Sequence, residues 1–390
     1  MDKRVYFLMI VSFVVGMVEL IIGGILDLIA DDLNVSEGKV GLLITVFSFI
    51  FALFSPILLV LTAGIERKKL TLISLFVFLL GNLVTVFSPT YSVLFIGRII
   101  SALSGALLII LCLVMAPTIV EPKYRGRAIG IVSMGVSGSL VLGIPIGLIL
   151  GNAFGWRAPF VLITGLTVLS MIGVYFLMGR VEPRPPRPLK VLITALKDSK
   201  IFTAQFATFL FMAGHYILYA YLTPFVKSTM GLDGTWLSVI YLIFGIAAVS
   251  GGGIGGTISD KYGAKPTIIG CMVIFSITLF IIPYTTFSIP LFLCILVVWG
   301  MMSWVLSPAM QSYLIETTPE TADIQQSLNN SALHFGIAFG SLIGSIVIDK
   351  VSIEMNASFG GFFVILALFI FIYSMRKIAN PYEKHPLDQS

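Results

Sequence analysis

Long apolar stretches alternate with short polar segments along the whole chain. A helix that spans a bilayer needs roughly 20 mostly apolar residues. Twelve such stretches begin near residues 5, 39, 70, 92, 128, 158, 202, 236, 266, 289, 329 and 358. The pattern predicts an all-α integral membrane protein with twelve transmembrane helices, here helices 1 to 12. The first stretch is too long for a signal peptide and no small-residue cleavage site follows it, so we expect it to remain as helix 1.

One connection between the apolar stretches is much longer than the others. It covers residues 180–200, and it is basic and proline-rich before it turns briefly amphipathic. It divides the twelve stretches into two sets of six. We therefore expect an N-terminal six-helix bundle over 1–179, a cytoplasmic linker over 180–201, a C-terminal six-helix bundle over 202–378 and a cytoplasmic tail over 379–390.

The two halves of the chain are related to each other. A shift of 197 residues superimposes Lys265 on Lys68, and the same shift superimposes Gly340 and Gly344 on Gly143 and Gly147. Because the same shift relates pairs of residues in different parts of the two halves, it indicates parallel repeats of six helices. Transporters built from such repeats bind their substrate between the halves, near the middle of the membrane.

Composition agrees with this class of protein, and the charge pattern adds an orientation. The chain is 57% hydrophobic and 11% charged, with a mean hydropathy of +1.03. On a twelve-span topology, 19 of the 24 Lys and Arg lie on the side of the N-terminus, four lie on the other side, and Arg98 lies within a span. This asymmetry predicts that both termini are cytoplasmic. The net charge of +5 therefore reports topology, and we expect no nucleic-acid partner.

The motifs of enzymes are missing from this sequence. It has no HExxH pair, no G-x-S-x-G elbow and no P-loop, so we expect no enzyme, and we also expect no cofactor. The missing P-loop argues against an ATP-driven pump, unless a separate subunit supplies the ATPase. Cys112, Cys271 and Cys294 are scattered through apolar segments, which predicts packing residues and no metal site.

Helix 5 carries a regular glycine pattern. It reads GVSGSLVLGIPIGLILGNAFGWR, in which Gly143, Gly147, Gly151 and Gly155 recur every four residues. A face of this kind lets another helix backbone approach closely. Pro145 removes one backbone donor and is able to bend the helix. Spacing alone is equally compatible with generic helix packing.

These motifs resemble those of the major facilitator superfamily. Helix 5, with its Gly-x-Pro-x-Gly, is similar to the superfamily's antiporter motif. The stretch GRIISALSG is similar to the motif that places an arginine, here Arg98, at the outer end of helix 4. The stretch GGTISDKYGAK is similar to the superfamily's gating-loop motif, whose main positions are matched by Gly256, Asp260, Lys261, Gly263 and Lys265.

Other stretches narrow the resemblance. ELIIGGILDLIADDLNVS and FGWRAPF are similar to the drug:proton antiporter branch, which includes sugar-efflux and arabinose-inducible exporters. AGHYILYAY, WGMMSWVLSPAMQSYLIE and DIQQSLNNSAL look most like bacterial purine efflux pumps. The resemblance implies two six-helix bundles that work by alternating access, in the inner (plasma) membrane of a bacterial cell.

Two positions depart from the pattern of the resembling proteins. Ala63 replaces an aspartate of the first-half loop, which implies that the usual gating salt bridge is either absent or rebuilt around Glu66. Asp27 replaces a proline near the end of helix 1, which implies a less sharply bent helix end.

Few ionisable residues lie inside the spans, namely Glu19, Arg98, His215 and His334. A buried charge is costly in a bilayer, which makes such residues functional candidates. From the helical rise, Glu19 lies about 21 Å from the inner end of helix 1 and Arg98 lies about 9 Å below the outer surface. These heights coincide in a core about 30 Å thick, so we predict an ion pair between Glu19 and Arg98.

Such a pair has the properties of a proton-coupling site. Burial favours the protonated acid, whereas a nearby arginine favours the carboxylate. A conformational change that moves Arg98 or admits water would switch between the two forms, so we expect Glu19 and Arg98 to couple transport to protons. The alternatives are a static ion pair between helices 1 and 4, and a carboxylate that reaches the lipid surface.

Polar and aromatic residues of the second half suggest a substrate site. His215 lies 196 residues after Glu19, within one position of the repeat register. Flat rings stack on planar heterocycles, and amides or imidazole pair with ring edges. The candidates for substrate binding are His215, Tyr219, Trp299, Trp304, Gln311, Gln325, Gln326, Asn329 and Asn330. The alternative is that these aromatic residues are packing residues or an interfacial belt.

Together these patterns predict a proton-coupled antiporter that exports a small organic solute. Purine bases or nucleosides fit the candidate residues best, and a drug or a sugar is the alternative. A proton-coupled importer or a passive facilitator on the same fold is the second hypothesis. A receptor is disfavoured because the chain has no sizeable soluble domain. The expected partners are the solute, protons and the lipid bilayer, and we expect a monomer.

Overall fold

Twelve long helices form the described part of the molecule. The computed structural model describes residues 2–183, 196–318 and 321–377. Most of the predicted linker (184–195) and all of the predicted tail (379–390) lie outside the described residues. The described part contains helices and connections but no β-strand, and its twelve helices are long and apolar enough to cross a membrane. The predicted fold class is therefore confirmed.

The helices α1 to α12 correspond to the predicted helices 1 to 12. The first half contains α1 Lys3–Gly24, α2 Glu37–Leu61, α3 Arg67–Val86, α4 Tyr91–Met115, α5 Arg125–Phe154 and α6 Ala158–Leu177. The second half contains α7 Ser199–Tyr219, α8 Thr235–Tyr262, α9 Ala264–Ile281, α10 Ile289–Thr317, α11 Ala322–Lys350 and α12 Met355–Arg376.

The first helix of each half ends in the same way. A short helix, Leu26–Leu33, follows α1 after a break at Ile25, and a second short helix, Leu222–Met230, follows α7 after Tyr221. The φ and ψ angles are −109° and 21° at Ile25 and −118° and 22° at Tyr221, so the two breaks share one non-helical conformation. Helix α1 therefore breaks even though the chain has Asp27 where the resembling proteins have proline.

The glycine face of α5 packs against α1 within the first half. A Cβ added to Gly147 would lie 1.8 Å from Cδ1 of Ile21, so a larger residue would require the Ile21 side chain to move. Near its middle, α5 contains a π-helical segment, Ser139–Gly143, which ends two residues before Pro145. The missing N–H of Pro145 accounts for this local departure from α-helical hydrogen bonding.

The two halves meet at the end of the molecule opposite to residues 2 and 377. We call this the far end, where α1 and α7 finish, and we call the other the terminal end. Among the described residues, the hydrogen bonds that join the halves lie at the far end. Thr223 donates to the carbonyl of Gly23 at 2.8 Å, and Ser341 donates to the carbonyl of Gly41 at 2.9 Å. The Lys227 ammonium pairs with the Asp27 carboxylate between the same two halves.

Helices α5 and α8 touch only along part of their length. A Cβ added to Gly245 of α8 would lie 2.8 Å from Cα of Val141 in α5, so the backbones are in close contact there. Nearer the terminal end, Gly130 of α5 and Gly256 of α8 lie on about the same helix faces as Val141 and Gly245, and a Cβ added to either would meet nothing within 4 Å. The halves therefore separate towards the terminal end, and the molecule is closed at the far end.

Candidate substrate and proton site

A cavity of about 370 Å³ lies between the two halves, on the terminal side of the closed far end. Helices α1, α2, α4 and α5 line it from the first half, and α7, α8, α10 and α11 line it from the second. A volume of this size is typical of sites for small organic molecules. The separation of α5 from α8 leaves the cavity open towards the terminal end.

Glu19 lies at the closed end of this cavity and contacts the opposite half. Its Oε1 atom is 3.3 Å from Nδ1 of His334, which α11 contributes. Both side chains are largely buried, and the contact lacks the angles of a hydrogen bond. The His334 ring stacks on Phe51 of α2, with ring centroids 4.2 Å apart. A carboxylate and an imidazole from different halves thus share one buried position.

Arg98 lies beside Glu19 but not in the predicted ion pair. Its Nη1 atom donates to the carbonyl of Val18 at 2.7 Å, and its guanidinium lies 4.3 Å from the ring centre of Phe47. Its Nε and Nη2 atoms have no hydrogen-bond partner. The helical heights correctly placed Arg98 beside the carboxylate segment of α1, but the nearest charged or imidazole partner of Glu19 is His334. The guanidinium and the ring together form a cation–π contact.

An aromatic wall surrounds His215 on the second half. The imidazole lies 5.0 Å from the Tyr219 ring at 23° and 6.1 Å from the Phe244 ring at 9°, so the three rings are roughly parallel. All three line the cavity. The Nδ1 atom of His215 and the hydroxyl of Tyr219 are buried without a hydrogen-bond partner. Unpaired buried polar atoms are costly, so these two are available for a ligand or for water.

The two candidate tryptophans of α10 occupy different places. Trp304 is partly exposed and lines the cavity. Trp299 has 0% of its surface exposed and does not line it. Trp299 instead packs behind the aromatic wall, with its ring centre 5.5 Å from His215 and 5.0 Å from Phe244. It therefore supports the wall and does not touch the cavity.

Amide side chains form the polar part of the cavity. Asn329 donates to Oε1 of Gln205 and to Oγ1 of Thr208, each at 2.9 Å. Gln205 donates to the backbone carbonyl of Gln325 at 3.1 Å, and Gln325 is fully buried. Asn329 lines the cavity, whereas Gln325 does not. Gln325 thus holds α7 and α11 together, away from the position of a solute.

Two further candidates face the cavity, and one does not. Gln311 and Asn330 both line it, and Gln311 is 3.4 Å from the hydroxyl of Ser307. Gln326 is exposed and does not line it. Six of the substrate-binding candidates therefore share one cavity, namely His215, Tyr219, Trp304, Gln311, Asn329 and Asn330.

The gating-loop and antiporter motifs lie outside the cavity. Asp260 and Lys261 are exposed at the end of α8, with Gly256 and Lys265 nearby. Gly263 joins α8 to α9 with a φ of 91°, which L side chains rarely adopt, so glycine is required there. Gly143, Gly147 and Gly151 form the face of α5 that packs on α1 and the residues just after it. Pro145 is buried, and none of these four residues lines the cavity.

Glu66 organises the loop that lacks the aspartate of the resembling proteins. Its carboxylate accepts hydrogen bonds from the backbone N–H groups of Lys68, Lys69 and Val181, at 2.8 to 2.9 Å. Burial opposes the charge, but these three donors hold the pKa of Glu66 below its ordinary value of 4.5. Glu66 therefore caps α3 and fixes the beginning of the linker.

Several cavity residues were not among the sequence candidates. His334 is an ionisable residue of helix 11 to which the sequence pattern assigns no role. Phe51 and Phe244 had no signal that separates them from packing aromatics. Gln205 does not line the cavity but accepts a hydrogen bond from Asn329, which does. The sequence signal for Gln205 is a polar amide in an apolar span, which is a general indication of a functional or structural hydrogen bond. Within the described ranges, no group of three His, Cys, Asp or Glu is placed to hold a metal ion.

Comparisons with known proteins agree with the fold. The family model described as the Major Facilitator Superfamily matches residues 8–341. The chain is 34% identical to an uncharacterised MFS-type transporter of Bacillus subtilis, YbcL, over 94% of each chain. It is 25% identical to a protein of Helicobacter pylori named "Probable sugar efflux transporter", over 94% of this chain and 93% of the other.

A solved structure supports the same fold. A bacterial homologue of the human lysosomal transporter Spinster, in an inward-facing and occupied conformation, superimposes with a TM-score of 0.79. The two chains are 15% identical, and the match covers 96% of this chain and 97% of the other. At this identity the likeness concerns the fold alone.

Proposed function

Because this chain belongs to the Major Facilitator Superfamily, a family of membrane transporters and not of enzymes, we propose that it exports a small organic solute in exchange for protons. One observation carries the proposal. Within the described residues, Glu19 is the one carboxylate that lines the cavity between the halves. A carboxylate at membrane depth is costly, and its cost depends on whether it carries a proton.

The exchange follows from competition for one cavity. With the far end closed, Glu19 releases its proton to water in the open cavity, and the solute then binds. Reorientation of the halves opens the far end, where the solute leaves and Glu19 takes up a new proton. Arg98, whose Nε and Nη2 atoms are unpartnered, stabilises the deprotonated carboxylate between these steps. The two ligands alternate because each favours a different conformation.

The proposed solute is a purine base or nucleoside. The roughly parallel rings of His215, Tyr219 and Phe244 offer a surface for a planar heterocycle, and Trp304 offers another ring on α10. The unpartnered Nδ1 atom of His215 and the amides of Asn329 and Asn330 offer hydrogen bonds to ring edges. Trp299 and Gln325 take part by holding these residues in place.

A sugar is the second candidate solute. Relatives of this chain are named as sugar efflux transporters, and hydroxyl groups line the cavity as well as rings. Sugars pack their apolar faces on tryptophan and bind amides and hydroxyls through their edges. The hydroxyl-bearing lining residues are Ser12, Ser133, Ser137, Ser303 and Ser307, with Thr208, Tyr216 and Tyr219.

The proposal includes an orientation and a division into domains. Lysine and arginine are concentrated at the terminal end, which we place in the cytoplasm of a bacterial cell. The cavity then opens to the compartment from which an exporter takes its solute. We assign residues 1–179 and 202–378 to the two bundles, 180–201 to the linker and 379–390 to the tail, in a protein that works as a monomer.

The experiment is solute transport by the purified protein in proteoliposomes with an imposed pH difference. Purines, nucleosides, sugars and cationic drugs are compared at equal concentrations. We expect uphill movement of a purine only when protons can move the opposite way. Uphill movement of a sugar instead would favour the second candidate, and movement of solute and protons in the same direction would identify an importer. If no solute depends on the pH difference, the antiport proposal is wrong.

A further inference from the structure

The contact between Glu19 and His334 differs in position from the hydrogen bonds and the ion pair given above between the halves. The hydrogen bonds that join the halves in the described part of the chain lie at the far end, around Gly23, Gly41 and Asp349. The Glu19–His334 contact, at 3.3 Å, lies instead in the wall of the cavity. It therefore joins the halves at the level where a solute binds.

His334 is held firmly by its own half. A Cβ added to Gly336 would lie 2.4 Å from the carbonyl oxygen of Phe209, and one added to Gly340 would lie 2.2 Å from that of Ala213. Helix α11 is thus locked against α7, so that the two move together. When the halves reorient, His334 moves with the second half and cannot follow Glu19.

A carboxylate and an imidazole at this distance respond strongly to one proton. With a proton between them, they form either an ion pair or a hydrogen bond between a neutral acid and a neutral imidazole. Both forms attract. Without that proton, the Glu19 carboxylate faces a neutral imidazole, which offers at most one N–H as a donor, and the attraction between opposite charges is absent. The attraction between the halves at this level therefore depends on protonation.

Other polar groups near the pair cannot replace this proton. The titratable and charged groups that face it are Arg98 from α4, His215, Tyr216 and Tyr219 from α7, and Tyr241 from α8. The tyrosines remain neutral at ordinary pH, and His215 is enclosed by aromatic rings without a carboxylate contact. Arg98 is a permanent cation in the same half as Glu19, so its attraction for the carboxylate does not join the halves.

We propose that His334 is the residue that makes the cavity-open conformation depend on a proton. One proton held between Oε1 of Glu19 and Nδ1 of His334 joins the two halves in the conformation with the far end closed. When the proton leaves to a water molecule in the cavity, the joint is weakened to at most one hydrogen bond from a neutral imidazole, and Glu19 turns to Arg98 of its own half. This inference rests on the proposed function. Protonation shifts the equilibrium in the direction that an exporter needs, because the proton favours the conformation from which it is released.

The test measures the conformation directly as a function of pH. Spin labels are placed at the terminal end through Lys123→Cys and Glu316→Cys, both exposed positions outside the site, after the native cysteines have been replaced. The distance between the labels reports the open and closed populations in lipid nanodiscs. A one-proton linkage changes their ratio by up to about tenfold per pH unit. We expect the wild type to open as the pH falls.

Three variants separate the roles of the residues. His334→Gln removes the proton site, and His334→Phe also keeps a ring on Phe51, so both are expected to lose the pH-dependent change. Glu19→Gln is expected to lose it too. His215→Gln changes an imidazole of the same cavity that has no carboxylate contact, and is expected to keep the pH dependence while the KM for the solute rises.

The outcomes distinguish this inference from the proposed function. If both His334 variants keep the wild-type pH dependence while Glu19→Gln loses it, His334 has no part in coupling, although proton exchange stands. If His215→Gln abolishes the pH dependence to the same extent, the effect belongs to cavity imidazoles in general and the inference is wrong. If wild-type transport ignores the pH difference, the proposed function itself is wrong. Thermal unfolding of each variant shows that a lost response does not arise from misfolding.

Discussion

The ion pair between Asp27 and Lys227 is the charged link between the halves at the far end. Asp27 belongs to the short helix after α1, and Lys227 belongs to the short helix after α7. Thr223 and Tyr241 bind the carbonyl of Gly23 beside it. Lys227→Met therefore removes an attraction that exists only while the far end is closed, and we expect it to shift the population towards the state open at the far end.

The free energy that this ion pair contributes to the closed far end follows from its burial. The Lys227 side chain is 35% exposed and the Asp27 side chain is 9% exposed. A hydrogen bond to a charged group contributes about 1.5–3 kcal/mol when buried, and an exposed ion pair about 0.2–1 kcal/mol. Because water reaches the lysine, we expect Lys227→Met to destabilise the state closed at the far end by about 1 kcal/mol. This corresponds to about a fivefold change in the ratio of the closed to the open population. Asp27→Asn leaves a hydrated lysine and is expected to change the ratio by only about twofold.

The assay uses spin labels at the far end, through Phe87→Cys and Phe287→Cys, which lie on exposed turns of the two halves. A matched control is Arg157→Met, which breaks the ion pair with Asp32 at 2.7 Å inside the first half. This control is expected to leave the distance between labels unchanged. If Lys227→Met leaves the populations unchanged, or if Arg157→Met changes them equally, the pair does not hold the far end closed.

Three other residues give simpler tests. Gly41→Ala places a Cβ 1.8 Å from the hydroxyl of Tyr221 and is expected to impair counterflow, whereas Gly64→Ala, whose Cβ would meet nothing within 4 Å, is expected to be neutral. Trp304→Ala is expected to raise the KM for a planar solute about fivefold, from a lost aromatic contact of about 1 kcal/mol; an unchanged KM in initial-rate assays would exclude stacking there. Since the pKa of Glu66 is lowered, its contribution to stability is complete above 4.5 and is lost as the pH falls further. The melting temperature of the wild type should therefore approach that of Glu66→Gln as the pH falls progressively below 4.5, and a constant difference would contradict this.

Sequence pattern was sufficient for the helices but not for their partners. Twelve apolar stretches identify twelve spans, because the thickness of a bilayer sets the length of each helix. The repeat is also visible in the structure, since Ile25 and Tyr221, which lie within one position of the register, break the chain in the same conformation. The heights estimated along the helices correctly placed Arg98 level with the part of α1 around Glu19, where it donates a hydrogen bond to the carbonyl of Val18.

The sequence did not predict how each helix is rotated about its own axis, and therefore which of its faces lines the cavity. Trp299 and Trp304 are five positions apart, which turns them about 140° from each other, and only the packing of α10 decides which one faces the cavity. For the same reason, the contact between Glu19 and His334 could not be predicted from the sequence. Their meeting depends on how the two halves approach each other, and no local pattern within either helix records that approach.

The central claim is that Glu19 carries the proton that drives transport, and Glu19→Gln in proteoliposomes tests it most directly. Two reactions are compared with the same solute: counterflow, which needs only movement of the loaded protein, and uphill transport driven by a pH difference. The account predicts that Glu19→Gln retains counterflow but loses uphill transport, because the amide preserves the shape of the side chain and cannot release a proton. Uphill transport at the wild-type level by Glu19→Gln would contradict the account.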